Sequence, residues 1–362
     1  MPRTALGALA LLVACSGAPA AHQAARPDAP PAWEAANPLR PLPEPPLGSP
    51  ADFAATPWVT PQKVRLGRWL FFDARLSADG TVSCATCHQP QHAFSEPTPH
   101  SKGIRGQEGK RKAPPIVNAA WPVYPVFFWD GRAASLAEQA KGPMVNPIEM
   151  GNTHAAVVAT LARIDGYRPY FAEAFGDARV DIDRVAEAIA AYEATRLSGN
   201  SKVDRFDAGD EAALSARERR GRDLFFGRAA CNQCHLGPNL TDSKFHNLGI
   251  GWREPRPGHP LEAGFDDPGR YAVTHVAADL GAFKTPSLRD CSRHAPYMHD
   301  GSVATLREAV ALYWRAGVPN PWLSERMDLA RFAPPEIDDL VAFLEALDGE
   351  GFEDAPPARF PR

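Results

Sequence analysis

The sequence predicts a mainly α protein made of two tandem copies of one domain, with long ordered loops in place of a sheet. Three observations carry this. A five-residue motif occurs twice, as Cys84-Ala85-Thr86-Cys87-His88 and as Cys231-Asn232-Gln233-Cys234-His235. Its surroundings repeat as well: Gly67-Arg68-Trp69-Leu70-Phe71-Phe72 precedes the first copy and Gly221-Arg222-Asp223-Leu224-Phe225-Phe226 the second. Helical apolar spacing brackets each motif, and runs rich in Gly and Pro fill the space between. C-x-x-C-H is the attachment signature of c-type haem, whose vinyl groups take the two thiols and whose iron takes the adjacent His. A zinc site or a redox C-x-x-C competes for one isolated motif; two in a duplicated context point to two covalently bound haem c groups.

The order of elements supports one ancestral unit used twice. Lys112-Ala113-Pro114 recurs as Lys284-Thr285-Pro286, and Asp130-Gly131 with Ser135, Leu136 and Glu138 recurs as Asp300-Gly301 with Thr305, Leu306 and Glu308. In the first copy, Pro61 to Phe72 has helical spacing at Val64, Leu66, Trp69 and Leu70. The segment from His88 to Pro115 reads as loop, Ser135-x-x-Glu138 as a capping box, and Val180 to Leu197 as an amphipathic helix. In the second copy Ser215-x-x-Glu218 caps the GRxLFF helix, Leu236 to Pro296 promises little regular structure, and Thr305-x-x-Glu308 opens a helix through Tyr313. Pro335-Glu336 begins a closing helix from Ile337 to Leu347, with Gly349 beyond its end. A GRxLFF helix, a haem motif and a closing helix fit a cytochrome c-like domain, so the chain divides as 58–205 and 206–350, with a linker near Gly199 to Asp210 and a tail at 351–362.

Composition limits the function. The 362 residues carry a net charge of −4 and 44% apolar residues, which suits two packed domains and argues against a nucleic-acid binder. Four of six Cys belong to the haem motifs, leaving Cys15 in a leader and Cys291 as a buried thiol, so no disulfide framework is available. The apolar run Ala5 to Ala14 is too short to span a bilayer and suits a signal peptide over residues 1–20. Leu12-Val13-Ala14-Cys15 reads as a lipobox with a lipid anchor on Cys15, and Ala18-Pro19-Ala20 as the competing ordinary cleavage site. Either places the protein in the periplasm or, as a lipoprotein, at the outer membrane. The Pro/Ala-rich residues 21–57 read as a semi-extended tether.

The copies differ where the two irons must differ. His88 and His235 are the proximal ligands, and the sixth position decides whether a haem carries electrons or reacts. Aligning Asp130 with Asp300 sets Tyr313 opposite Pro143. Proline offers no ligand atom, whereas a phenol binds ferric iron. This predicts an open first iron and a closed second one, with Met298 and Met327 competing with Tyr313 as ligands. Gln139 and Glu149 flank Pro143; a carboxylate there shuttles protons on bound peroxide while an amide orients it, the alternative being solvated surface polarity.

These residues resemble the bacterial di-haem cytochrome c peroxidase family, including its MauG-type branch, from about Pro61 to Gly349. The likeness rests on LGRWLFFDARLS, both C-x-x-C-H motifs, FWDGRAASLAEQAKGPMVNPIEM, DDPGRYAV, FKTPSLR, APYMHDGSVATLREAV and the closing helix. The resemblance implies a peroxidatic first haem with Gln139, Pro143 and Glu149 in its distal pocket, Glu149 serving as acid and base. It also implies that Trp129 bridges the haems as an electron-transfer residue. Members often bind calcium between the haems through an Asn; the matching residue here is Lys112, whose ammonium argues against calcium. Ordinary peroxidases of the family cap the first haem with a His where this chain has Ile104, His100 lying four residues earlier. They also close the second haem with Met where this chain has Tyr313, as the MauG type does.

The expected function is therefore that of an exported di-haem peroxidase of MauG type, in which hydrogen peroxide oxidises a protein substrate or other donor. The runner-up is a cytochrome c peroxidase drawing electrons from a small cytochrome or copper protein, and a third reading is a non-enzymatic electron carrier.

Overall fold

A computed structural model describes residues 1–2, 31–121, 125–254 and 264–362. The leader, with its expected signal peptide and Cys15, lies outside the described residues. Chain order runs α1 (Ala32–Ala36), α2 (Pro61–Phe72), α3 (Cys84–Cys87), α4 (Leu136–Val145), α5 (His154–Ala162), α6 (Arg168–Phe175), α7 (Ile182–Ala194), α8 (Lys202–Asp207) and α9 (Ala216–Phe226). Then follow β1 (Phe245–Asn247), β2 (Trp252–Arg253), β3 (Gly264–Phe265), α10 (Tyr271–Thr274), β4 (Ala282–Lys284), α11 (Leu306–Trp314) and α12 (Ile337–Glu345). The architecture is mainly helical, as expected. Among the described residues its strands form two antiparallel two-stranded ladders, β1 with β4 and β2 with β3, inside the stretch expected to be irregular.

The GRxLFF repeat has a packing reason. Gly67 on α2 lies against the backbone carbonyl of Ala188 on α7, and Gly221 on α9 lies against that of Asp339 on α12; a Cβ at either glycine would overlap the oxygen. Only glycine lets each helix pair approach this closely. The aromatic pair that follows packs alike in both copies. Phe71 meets Tyr192 at 5.0 Å between ring centroids and 52°, and Phe225 meets Phe343 at 5.0 Å and 52°. Two hydrophobic clusters result, one built on α2 and α7, the other on α9 and α12.

The DG loops repeat in the same detail. Phe127 bridges Ala133, and Tyr297 bridges Val303. Phe128 and Met298, each just before the loop's aromatic or His, adopt φ of 65° and 72°. Helices α4 and α11 then begin at Leu136 and Leu306, 170 positions apart, behind N-caps Ser135 and Thr305 whose side chains accept from Glu138 N and Glu308 N.

The copies dock crosswise, as in an isologous dimer fused in one chain. Lys112 N donates to His299 O at 2.8 Å, and Lys284 N donates to Trp129 O at 2.8 Å. Each DG loop presses on the other copy: Gly131 on Phe245 and Arg270, Gly301 on Pro99.

Two segments expected as extensions are built into the body instead. The described part of the tether packs along it: Trp33 Nε1 donates to Tyr170 Oη at 2.9 Å, Asn37 Nδ2 to Arg65 O at 2.9 Å, and Asn200 N to Leu47 O at 2.7 Å. Its occasional Trp and Asn, among many Pro and Ala, supply the anchors that composition hid. The tail returns from the second copy onto the first, where Asp354 binds Arg68 at 2.8 Å and Tyr192 Oη at 2.8 Å, and Phe352 enters the first core. The expected linker holds α8, opened by a Ser201–Asp204 capping box and fixed by Asp204 on Arg289 at 2.9 Å.

Candidate haem sites

At the first motif, the His88 ring donates Nδ1–H to Phe94 O at 3.2 Å; at the second, His235 donates to Leu240 O at 2.9 Å. Phe94 and Leu240 both have positive φ, 56° and 50°, which turns each carbonyl back toward its histidine. The bond fixes the tautomer and leaves Nε2 as the ligand atom. Burial pushes both imidazoles down, His235 to about 4, so they stay neutral as ligation requires. Cys84, Cys87, Cys231 and Cys234 form no disulfide. Two buried polar atoms at these sites have no hydrogen-bond partner among the described residues: Glu193 Oε2, whose charge acts on Cys84, and His294 Nε2, on the wall of the second cavity. These orphans, with the ligand and thiol sets, fit sites completed by a group that the polypeptide does not supply.

Around the first site, Gln139 and Pro143 lie one turn apart on the same face of α4. Glu149 follows in the turn beyond the helix, near enough for its charge to act on Cys87. Burial pushes the Glu149 carboxyl up, against Arg132 and the Asn146 amide, which donates to Oε1 at 2.7 Å. Ile104 occupies the loop beside it, its N–H donating to Glu149 O at 2.8 Å and its side chain packed on Gly151. His100 Nδ1 lies 3.9 Å from Glu108.

His235, Cys231, Cys234, Tyr313, Met298 and Met327 line one cavity in the second copy. All three candidate sixth ligands thus reach the same space. Tyr313 is the residue of α11 equivalent to Pro143 of α4, by the matching helix starts. Its phenol is half-buried and pushed up by burial, and lies within electrostatic range of both motif sulfurs. Met327 instead packs its methyl toward Gly317. Cys234, Asp242 and His246 also cluster within 4.8 Å, but a sulfur committed to a thioether leaves that group short of a metal site.

Between the copies, Trp129 Nε1 donates to Lys112 O at 2.9 Å. The Lys112 ammonium donates to Glu96 O, and burial pushes it down to about 8, opposed by Glu96. The residues missed by sequence reasoning hold this region together. Arg111 bridges Asp267 at 2.6 Å and Asp130 at 2.7 Å, while Arg270 donates to Asp130 O and Gly131 O, both at 2.9 Å. The DDPGR string was the available signal: two acids and an Arg around a Pro-Gly turn have no use in a solvated loop.

With this geometry in place, the relatives are informative. Residues 61–212 match the family described as di-haem cytochrome c peroxidase. The methylamine utilization protein MauG of Methylorubrum extorquens is 41% identical over 294 residues, covering 81% of this chain and 80% of its own. Cytochrome c551 peroxidase of Nitrosomonas europaea is 37% identical over 295 residues, covering 81% and 82%. Among solved structures, a MauG-like protein associated with microbial copper homeostasis superposes with a TM-score of 0.72 at 31% identity, covering 89% of this chain and 98% of its own. The chain belongs to the di-haem cytochrome c peroxidase family.

Proposed function

We propose that this di-haem, haem-dependent peroxidase works in the MauG manner, using hydrogen peroxide to oxidise a protein or other large donor. The observation that carries the reading is the pairing of Pro143 with Tyr313: equivalent positions, one without a ligand atom, the other a phenol on the wall that bears His235. When bound, the first haem supplies an iron that accepts peroxide and takes up its oxidising equivalents. Glu149, raised by burial and held at one oxygen by Asn146, receives a proton and returns it to the departing oxygen. Gln139, one turn before Pro143, orients the substrate by its amide. Ile104 keeps the space beside Glu149 apolar and offers no cap. Trp129, whose carbonyl accepts from Lys284 N of the other copy while its indole donates to Lys112 O, is the bridge for electrons. An anionic phenolate from Tyr313 favours higher oxidation states at the second site.

The ordinary cytochrome c peroxidase reading differs at one testable point. Peroxide added to the fully ferric holoprotein, with no prior reduction, changes the haem spectrum at once under the MauG reading. A protein that reacts only after one haem is reduced belongs to the other branch.

The same proposal places the protein outside the cytoplasm with Cys15 lipidated, on the strength of its leader pattern. Membrane fractions of cells expressing the Cys15→Ser variant should lose the protein to the soluble periplasm. Retention in the membrane rejects the anchor.

A further inference from the structure

Behind the cavity of the second haem stands an aromatic cluster with no part in the chemistry described so far. Trp252 on β2 pairs with Phe265 on β3, their rings 5.1 Å apart, and Trp322 closes on Trp252 at 6.0 Å and 63°. All three rings are partly exposed. Their inner side meets the cavity wall directly. The Phe265 ring fills the place a Gly281 side chain would take, and Gly281 lines the cavity. Ile250 and Ser324, two residues from Trp252 and Trp322, line it too. One layer of chain therefore separates the haem site from indoles that reach the surface.

A hydrophobic patch alone would need no more than packing. The Trp252 indole is set up differently: Nε1 donates to Glu254 Oε1 at 3.0 Å. A carboxylate on an indole N–H stabilises positive charge on the ring and accepts its proton if the ring is oxidised. Indoles are also among the side chains that give up one electron most readily.

We infer that Trp252 and Trp322 form the surface redox station of the second haem, the point at which a donor too large for the cavity, a redox protein, surrenders electrons. This rests on the peroxidase reading above. The balance is two single-electron steps. In each, one electron leaves an indole for the oxidised haem pair, and one electron from the docked donor refills the indole. Two such steps supply the two electrons that, with two protons, convert peroxide to two waters. Without a donor, the indole itself is consumed: Trp and peroxide give hydroxytryptophan and water.

The test needs no identified partner. Ferric holoprotein is mixed with one equivalent of hydrogen peroxide, the oxidised state is followed by absorbance, and the product is mapped by peptide mass. Oxygen adducts should concentrate on Trp252 and Trp322. The W252F/W322F double variant should form the oxidised state at the wild-type rate but return to ferric about fivefold more slowly, as expected when the enzyme's nearest internal reductants are removed. Glu254→Gln, which leaves both rings in place, should move adducts from Trp252 to Trp322; a purely structural cluster would not respond. Adducts elsewhere with unchanged decay in the double variant overturn the inference. Absence of any peroxide reaction in the wild type overturns the peroxidase reading, and the inference with it.

Discussion

Glu149→Gln separates catalysis from architecture at the first haem. The substitution keeps shape and both main-chain bonds of residue 149, which run to Asn146 O at 3.1 Å and from Ile104 N at 2.8 Å. The Gln amide oxygen still accepts from Asn146 Nδ2, now at 2.7 Å. Only the proton is lost. General acid–base groups contribute about 10²- to 10⁴-fold, or about 2.7–5.5 kcal/mol of barrier. Stopped-flow mixing with peroxide should therefore show the reaction slowed by at least about 100-fold. Wild-type rate should fall as pH drops through the raised carboxyl pKa, because the base form is required, and this limb should vanish in the variant. Stability moves the other way. A carboxyl whose folded pKa is raised binds its proton more tightly when folded, so it favours folding at low pH and that contribution is lost as pH rises through the folded value. At neutral pH the variant should be at least as stable as wild type in urea. A rate within about threefold of wild type refutes the role of Glu149, and a less stable variant refutes the burial argument behind it.

The second haem offers a matching experiment: Tyr313→Phe should abolish the six-coordinate low-spin signal of one haem in electron paramagnetic resonance and leave the other unaltered. An unchanged spectrum removes Tyr313 as a ligand in favour of Met298. Arg289→Met strands a buried Asp204 and uncaps Gly48 O, and should destabilise the protein by about 3–5 kcal/mol in denaturant titration. Burial alone would raise the Asp204 pKa, but Arg289 overrides it and holds it low. That carboxylate therefore stabilises the fold above the ordinary carboxylate range, and its contribution disappears as pH falls through the folded value, a loss the Arg289→Met variant should no longer show. Finally, because the Lys112 ammonium already supplies a cation between the copies, EGTA should leave peroxide turnover unchanged and metal analysis should find no stoichiometric calcium; a calcium ion per chain refutes this.

What was legible in the sequence followed from covalent and periodic constraints. The C-x-x-C-H motifs declare their cofactor without any tertiary information, and the helices from Pro61 and Ile337 announce themselves by apolar spacing and terminal residues. The tether and tail were misread because composition describes an average, whereas docking depends on single anchors. One Trp33 against Tyr170 and one Asp354 beneath Arg68 turn a Pro/Ala-rich tether and a short tail into straps. Helices α5 and α6 were not foreseen for a related reason. They are short, and their ends are set by local caps such as Thr153 and the left-handed Gly176 rather than by a long amphipathic face. The aromatic cluster of Trp252, Phe265 and Trp322 was invisible because a ladder of two residue pairs joins the first two and Trp322 reaches them only by packing on Trp252.

The crosswise docking of the copies explains how one duplicated scaffold holds two sites with different linings. A pseudo-twofold interface ties each loop to its image, so Lys112 N–His299 O and Lys284 N–Trp129 O come as a pair, and geometry at one haem is built from the other copy's chain. Asymmetry then requires no change of fold, only changes at equivalent points. Trp129 answers to His299, which stacks on Phe283 at 3.5 Å and 12°, and Pro143 answers to Tyr313. The first exchange gives the junction an indole on one side only, hydrogen-bonded through Nε1 to the main chain of Lys112. The second gives one cavity a phenol and denies it to the other. Since both exchanges lie on the DG loop or the helix directly after it, a single duplicated segment carries the difference in lining on which the proposed division between the two sites rests.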